Sequence, residues 1–191
     1  DPALVSALED FRERRNQRAR LMVQKLNDLD VDITFEDIEA AAGDAAIGRP
    51  HVADAMVNAG AVPSYDEAFR KYIRNGGPAY VSKQNFTPEE AISLVHQAGG
   101  MTVLAHPTLN GAVRHLEHLV TLGLDGIEVY HPIHSKSDVN QFTRLSERFR
   151  LVTTGGSDFH GRFNSEIYGD IGSQKVPAEW LERMKRRAGK E

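Results

Sequence analysis

The chain has 191 residues, 40% hydrophobic and 26% charged, with a formal net charge of −4. That length supports one well-buried domain, or one domain with a small insertion, and the charge balance excludes a global basic field that recruits nucleic acid. The absence of cysteine excludes disulfides, thiolate metal sites and a cysteine nucleophile. No apolar run reaches the roughly 18 residues of a membrane span and no signal peptide is read, so a cytoplasmic protein is expected.

Leu4, Leu8, Phe11, Met22, Leu26 and Leu29 recur near a helical period, which predicts a helix over residues 1–30 carrying Arg12, Arg14, Arg15, Arg18 and Arg20. A chain that opens DPALVSALEDF, already in helical pattern and without methionine, is expected to be the later part of a longer protein; a trimmed helical N-terminus gives the same pattern. Residues 31–86 show short helical signals and no convincing strand. Thr34–Asp37 resembles a helix start, Pro50 suits a first helical position with Gly60 ending that helix, and Ser64–Glu67 fits a capping box ahead of Ala68, Phe69, Tyr72 and Ile73. A small helical subdomain is expected there.

From residue 87 the pattern changes. Thr87-Pro-Glu-Glu90 is a helix start, with Ala91, Leu94, Val95 and Ala98 on one face and Gly99 at the end. MTVLA (101–105), GIEVY (126–130) and LVTTG (151–155) read as buried strands, begun 25 residues apart, with helical stretches between them through Leu116, Leu119 and Val120 and through Val139, Phe142, Leu145 and Phe149. Strand–helix–strand at this spacing predicts βαβ units and a parallel sheet. A last helix over about 178–188 holds Trp180, Leu181 and Met184 and ends in Lys and Arg.

Chemistry-bearing residues follow each strand. Ala105-His106-Pro107 follows the first. The second contains Glu128 and runs into His131-Pro-Ile-His134. Gly155-Gly-Ser-Asp158-Phe-His160 follows the third. All three fall at the C-terminal ends of parallel strands, where loops of βα-barrels converge on one rim. In an extended segment Asp158 and His160 project to the same side, and a carboxylate with imidazoles suits zinc, manganese or iron. A capping aspartate beside an exposed histidine gives the same short pattern; His106 at a neighbouring strand end favours ligands. His96, His115 and His118 lie in predicted helices and are expected to be structural or solvent-facing.

VLAHP, GIEVYHPIHS and TTGGSDFHG resemble the C-terminal half of the PHP (polymerase and histidinol phosphatase) domain family. RRNQRAR, IGRPHVADAMV and GGPAYVSK resemble one branch of it, the nucleoside 3′,5′-bisphosphate phosphatases and 5′-to-3′ exoribonucleases acting on short RNA. The resemblance implies an α/β fold, the C-terminal part of a distorted (β/α)7 TIM-like barrel with an inserted helical subdomain. Residues 1–30 would be a barrel helix, 31–86 the insertion, and 87–191 the βα units that carry metal ligands. It implies a divalent metal cluster, manganese first, with zinc, iron or magnesium as alternatives, and His106, Asp158 and His160 as ligands. Arg49 and His51, in GRPH, match a motif that faces substrate. With His134 they are the candidate substrate-binding residues, against a reading of Arg49 as a helix-end surface charge.

The expected reaction is metal-dependent hydrolysis of a phosphoester in a small nucleotide or short 5′-phosphorylated RNA, with no membrane or double-stranded DNA partner and no general acid assigned. Family members open with a His-x-His strand, followed by an aspartate, a histidine, a glutamate and a further histidine. That pattern is absent here, so an N-terminal segment of the same polypeptide is expected to be missing. Two rivals remain: a non-catalytic PHP-like structural or regulatory module, and an amidohydrolase-type metal hydrolase on the same barrel.

Overall fold

A computed structural model of the chain describes residues 1–83, 86–159 and 169–189. The chain divides into two units, Asp1–Asn85 and Phe86–Glu191, each with its own hydrophobic core.

In the first unit Asp1 caps α1 (Pro2–Asn27), accepting a hydrogen bond from Leu4 N–H at 2.9 Å. The helix buries Ala19, Met22 and Leu26 from one face. Thr34 and Asp37 form a reciprocal capping box at the start of α2 (Phe35–Ala42). α3 (Arg49–Asn58) has Pro50 in its first turn. Ser64 caps α4 (Tyr65–Ala68), which runs into a π-helical turn over Phe69–Ile73. Met22, Leu26, Ile38, Met56 and Ile73 are among the fully buried side chains at the centre, each contributing roughly 1.5–3 kcal/mol by leaving water. The described residues of this unit contain no strand. Its last segment returns across α1, where Lys25 Nζ and Arg18 Nε donate to the carbonyls of Tyr80 and Val81 at 3.1 and 2.7 Å.

The second unit opens with α5 (Pro88–Gln97) behind a Thr87–Glu90 capping box. Three strands follow, β1 (Val103–Leu104), β2 (Gly126–Tyr130) and β3 (Val152–Gly155), paired in parallel in that order. A 3-10 stretch, Leu109–His115, leads into α6 (Leu116–Thr121). α7 (Lys136–Phe149) starts at a Ser135–Asp138 capping box, and α8 is Ala178–Arg187. Along β2, Ile127 and Val129 are fully buried in the core. On the alternate face, Tyr130 stacks on Trp180 of α8 with ring centroids 5.1 Å apart.

β1 is shorter than the five-residue strand the sequence predicts, because side chains take the flanking backbone donors. Thr102 N–H donates to Asp125 Oδ2 at 2.8 Å, and His106 N–H to Glu128 Oε2 at 2.6 Å. Asp125 also meets His96 Nε2 at 2.8 Å, which ties the end of α5 to the start of β2. Strand β3 meets β2 through a register shift between Glu128 and Tyr130. Gly155 fits there because a Cβ would lie 2.7 Å from Tyr130 Cβ and 2.8 Å from its carbonyl oxygen. Among the described residues, a Cβ on Gly156 would meet only Glu128 Oε1, at 3.9 Å. Packing therefore demands glycine at 155, while at 156 the described residues leave room for a methyl group beside Glu128.

Candidate functional site

The exits of β1, β2 and β3 bring His106, His131 and Asp158 together. His106 and Asp158 both have positive φ, 32° and 50°, two of the four non-glycine residues in that region among the described residues. Such backbone costs on the order of 1–3 kcal/mol and persists where surrounding contacts impose it. At His106 the imposing contacts are Glu128, which takes its N–H, and the Leu109 N–H, which donates to its carbonyl at 2.9 Å.

Between them sits His131, whose side chain is completely buried. Its ring meets the His106 ring edge-on at 5.8 Å, and its Nε2 is 3.5 Å from Asp158 Oδ2. His134 follows, 5.3 Å from the His131 ring and edge-on to Phe142 at 5.0 Å. His134 Nδ1 is 2.9 Å from the Val129 carbonyl. A carbonyl only accepts, so Nδ1 carries the proton and Nε2 the lone pair, and that Nε2 is buried without a hydrogen-bond partner among the described residues. Burial, helped by the His131 ring, lowers the His134 pKa against the opposing pull of the Val129 carbonyl, Glu128 and Asp138. The ring is therefore held neutral.

Two of the three candidate ligands, His106 and Asp158, thus share one rim, and His160 lies outside the described residues. Among the described residues no three His, Asp or Glu side chains form a complete metal set by themselves. The donor chemistry fits a divalent cation all the same: imidazole and carboxylate at the exits of the two strands that flank β2, a second carboxylate on Glu128, and a buried imidazole lone pair with no partner among the described residues. The sequence places Glu128 and His131 in the cluster at the end of the second strand but assigns neither a role, since the contacts that mark them come from the other two strand exits.

The first unit holds a separate cationic cluster. Arg15 Nε donates to Ile47 O, and a Cβ on Gly48 would lie 2.9 Å from Arg15 Nη2. Arg49 Nη1 donates to Ile73 O at 3.2 Å and Asn75 Oδ1 at 2.7 Å. Arg18 and Arg49 flank the Tyr80 ring at 5.8 and 5.5 Å. Burial, then the Arg49 and Arg15 charges, hold the Arg18 guanidinium below its ordinary pKa, with Tyr80 opposing. Burial and the charges of Arg18, Arg15 and Arg49 lower Lys83 in the same way. Arg18 Nη2 is buried with no hydrogen-bond partner among the described residues. His51 Nδ1 accepts from Gly48 N–H at 3.2 Å, closing the first turn of α3. Of the five arginines in the first helix, the structure selects Arg15 and Arg18, one turn apart, as members of the cluster.

No helix of the described residues is long and apolar enough to cross a membrane. No protein-family model matches the chain. It is 37% identical over 166 residues to the 3′,5′-nucleoside bisphosphate phosphatase of Chromobacterium violaceum, covering 84% of this chain and 58% of that protein. It is 34% identical over 164 residues to the 5′-3′ exoribonuclease Rnm of Escherichia coli, covering 83% and 56%. The chain thus spans somewhat over half the length of these curated relatives. Among solved structures it resembles a Bifidobacterium adolescentis protein assigned as a metal-dependent phosphoesterase, with a TM-score of 0.79, 30% identity, and coverage of 95% of this chain and 65% of that one. It also resembles an amidohydrolase from Chromobacterium violaceum with bound sulfate and no metal, with a TM-score of 0.75, 31% identity, and coverage of 98% and 68%. These likenesses extend over most of the chain, which is thus similar to PHP-like phosphoesterases.

Proposed function

We propose that the protein is a metal-dependent phosphoesterase acting on phosphate esters of nucleotides or on short 5′-phosphorylated RNA. The observation that carries this reading is the pair His106 and Asp158, each on left-handed backbone at the exits of the two strands that flank β2, around a buried histidine. His106 and Asp158, with His160, would hold the divalent cation, manganese first among the candidates. Such a cation supplies Lewis acidity, lowering the pKa of water and neutralising charge on phosphoryl oxygens. His134 contributes a neutral imidazole with an acceptor lone pair at Nε2.

Arg49, joined by Arg15 and Arg18, is the proposed phosphate holder. A buried guanidinium nitrogen without a partner beside other cations is matched by a ligand with several acceptor oxygens and negative charge. This cluster weighs against a neutral amide as substrate, the reading that the amidohydrolase neighbour would otherwise favour. His51, whose Nδ1 caps α3, is retained as a candidate substrate contact. The proposed architecture is the C-terminal part of a distorted (β/α)7 barrel, with 1–30 a barrel helix, 31–86 an inserted subdomain and 87–191 the ligand-bearing βα units. Two relatives named for nucleotide and RNA hydrolysis support the substrate class.

The test is phosphate and nucleotide release by the whole protein with manganese. A nucleoside 3′,5′-bisphosphate and a short 5′-phosphorylated RNA are compared with double-stranded DNA and with an amide. Turnover confined to the first two is expected. Turnover that survives removal of every divalent metal, or no turnover of either, refutes the proposal, and the latter outcome favours a non-catalytic module.

A further inference from the structure

We propose that His131 is a positioning residue for Asp158: its Nε2–H holds Asp158 Oδ2 and so fixes the orientation in which the carboxylate would meet the divalent cation. The inference rests on the metal-dependent reading above and adds a residue outside the motif-matched ligand set.

The argument begins with burial. His131 and Ser146 are the two buried polar residues among the described residues. A buried imidazole must satisfy both ring nitrogens or carry the penalty of an unmatched one. Ile133 N–H lies 3.3 Å from His131 Nδ1. A backbone N–H can only donate, so Nδ1 presents its lone pair there, and in the neutral ring the proton sits on Nε2. That nitrogen has no hydrogen-bond partner among the described residues, yet Asp158 Oδ2 lies 3.5 Å from it. The gap exceeds the roughly 2.7–3.2 Å of a formed N–H···O bond, and a shift of a few tenths of an ångström closes it.

The same tautomer separates His131 from the ligands. A nitrogen that carries a proton has no lone pair for a cation, so His131 cannot coordinate through Nε2 while Ile133 holds Nδ1. His134, three residues on, has the opposite arrangement, because its Nδ1 faces a carbonyl and its Nε2 bears the lone pair. One loop therefore presents a fixed donor and a fixed acceptor side by side. The donor faces a carboxylate whose backbone, at φ 50°, is held in a region aspartate seldom occupies. With one oxygen engaged by a buried N–H, the Asp158 carboxylate loses rotational freedom and is held in one orientation. Outer partners of this kind orient metal ligands.

The test measures manganese affinity, and manganese bound per chain at saturation, in the whole protein. It compares wild type with His131→Leu, His131→Gln, Asp158→Asn and the Leu/Asn double variant, with folding checked by circular dichroism and melting. His131→Leu should weaken manganese binding by about 10 to 100-fold without changing the amount bound at saturation. His131→Gln should stay within about threefold of wild type, since its amide keeps a donor at the position of Nε2. In the Asp158→Asn background, His131→Leu should add no further weakening.

If leucine prevents folding, His131→Asn takes its place: the shorter amide can meet Ile133 but does not reach Asp158, so it should behave as leucine does. Loss of one bound equivalent would make His131 a ligand and overturn the proposal. So would wild-type affinity in the leucine or asparagine variant, an affinity in His131→Gln as weak as theirs, or equal weakening in both Asp158 backgrounds. Failure of the underlying reading shows separately, as a wild-type protein that binds no manganese.

Discussion

Replacing Arg18 by methionine should leave stability almost unchanged while removing about half of the response to phosphate. The methionine keeps the aliphatic stem of the arginine and its packing. What disappears is the Nε donation to Val81 O at 2.7 Å, a bond from a charged group worth about 1.5–3 kcal/mol, and a contact with the Tyr80 ring worth about 0.5–1 kcal/mol. What is relieved is the burial of Nη2 without a partner, which costs about 1–3 kcal/mol, and the repulsion from Arg49 and Arg15 that holds its pKa down. The two sides cancel to within about 1 kcal/mol, a melting shift of no more than about 2–4 °C. Phosphate at a hundred times its dissociation constant should stabilise the wild-type protein by about 2.7 kcal/mol. A tenfold loss of affinity in the variant removes about 1.4 kcal/mol of that. The assay is thermal denaturation of the whole protein over a phosphate series, with sodium chloride as the ionic-strength control. A variant destabilised by about 3 kcal/mol or more, with an undiminished phosphate response, would refute the reasoning and return Arg18 to a structural role.

Arg49→Ala removes donations to Ile73 and Asn75, so it should lower stability by roughly 1.5–3 kcal/mol and raise KM more than it lowers kcat, as read from phosphate release against substrate concentration. Asp158→Ala should cut turnover by more than the roughly 100-fold that follows loss of an outer partner of a ligand, with metal content measured in parallel. Gly155→Ala should cost about 1–3 kcal/mol through the clash with Tyr130. Gly156→Ala should melt within about 2–4 °C of wild type yet lose activity, because its methyl group would stand beside Glu128. For Asp125, burial raises the carboxyl pKa but the hydrogen bonds from Thr102 and His96 outweigh it and hold it below the ordinary value. A depressed folded value stabilises above the unfolded pKa of about 3.9 and is lost as pH falls through the folded one. Asp125→Asn should therefore be less stable than wild type at neutral pH, with the difference closing in acid urea melts. Asp37 and Asp138, lowered first by hydrogen bonds from Thr34 and Ser135, keep part of the acid sensitivity in that variant.

Most of the element order was legible because its signals are local. Thr34, Ser64, Thr87 and Ser135 cap the helices that follow them, and the regular spacing of GIEVY and LVTTG locates β2 and β3. The length of β1 was not legible. Its flanking donors are captured by Asp125 and Glu128, 23 and 22 residues away, and no window of strand length contains both partners. His96 illustrates the same limit. Its helical position marks it as structural or exposed, and only the fold shows that it completes the Asp125 clasp. Arg15 and Arg18 stood among five arginines in one helix, and what sets them apart is a pair of carbonyls 32 and 63 residues distant.

The candidate site was legible as a list of residues but not as a geometry. His106 and Asp158 announce themselves by motif and by following strands, yet nothing local says that both occupy left-handed backbone. At such positions glycine is the relaxed choice, and a turn that served only to reverse the chain would favour it. This chain instead places an imidazole and a carboxylate there, and gives Gly155 to the neighbouring close contact, where φ is not the constraint. Asp30 and Arg150 share such backbone, but only His106 and Asp158 bring it to strand exits beside one buried histidine. The arginine cluster poses a related cost: desolvated cations held by backbone carbonyls are unfavourable in the free protein, and the proposed phosphate would offset that cost.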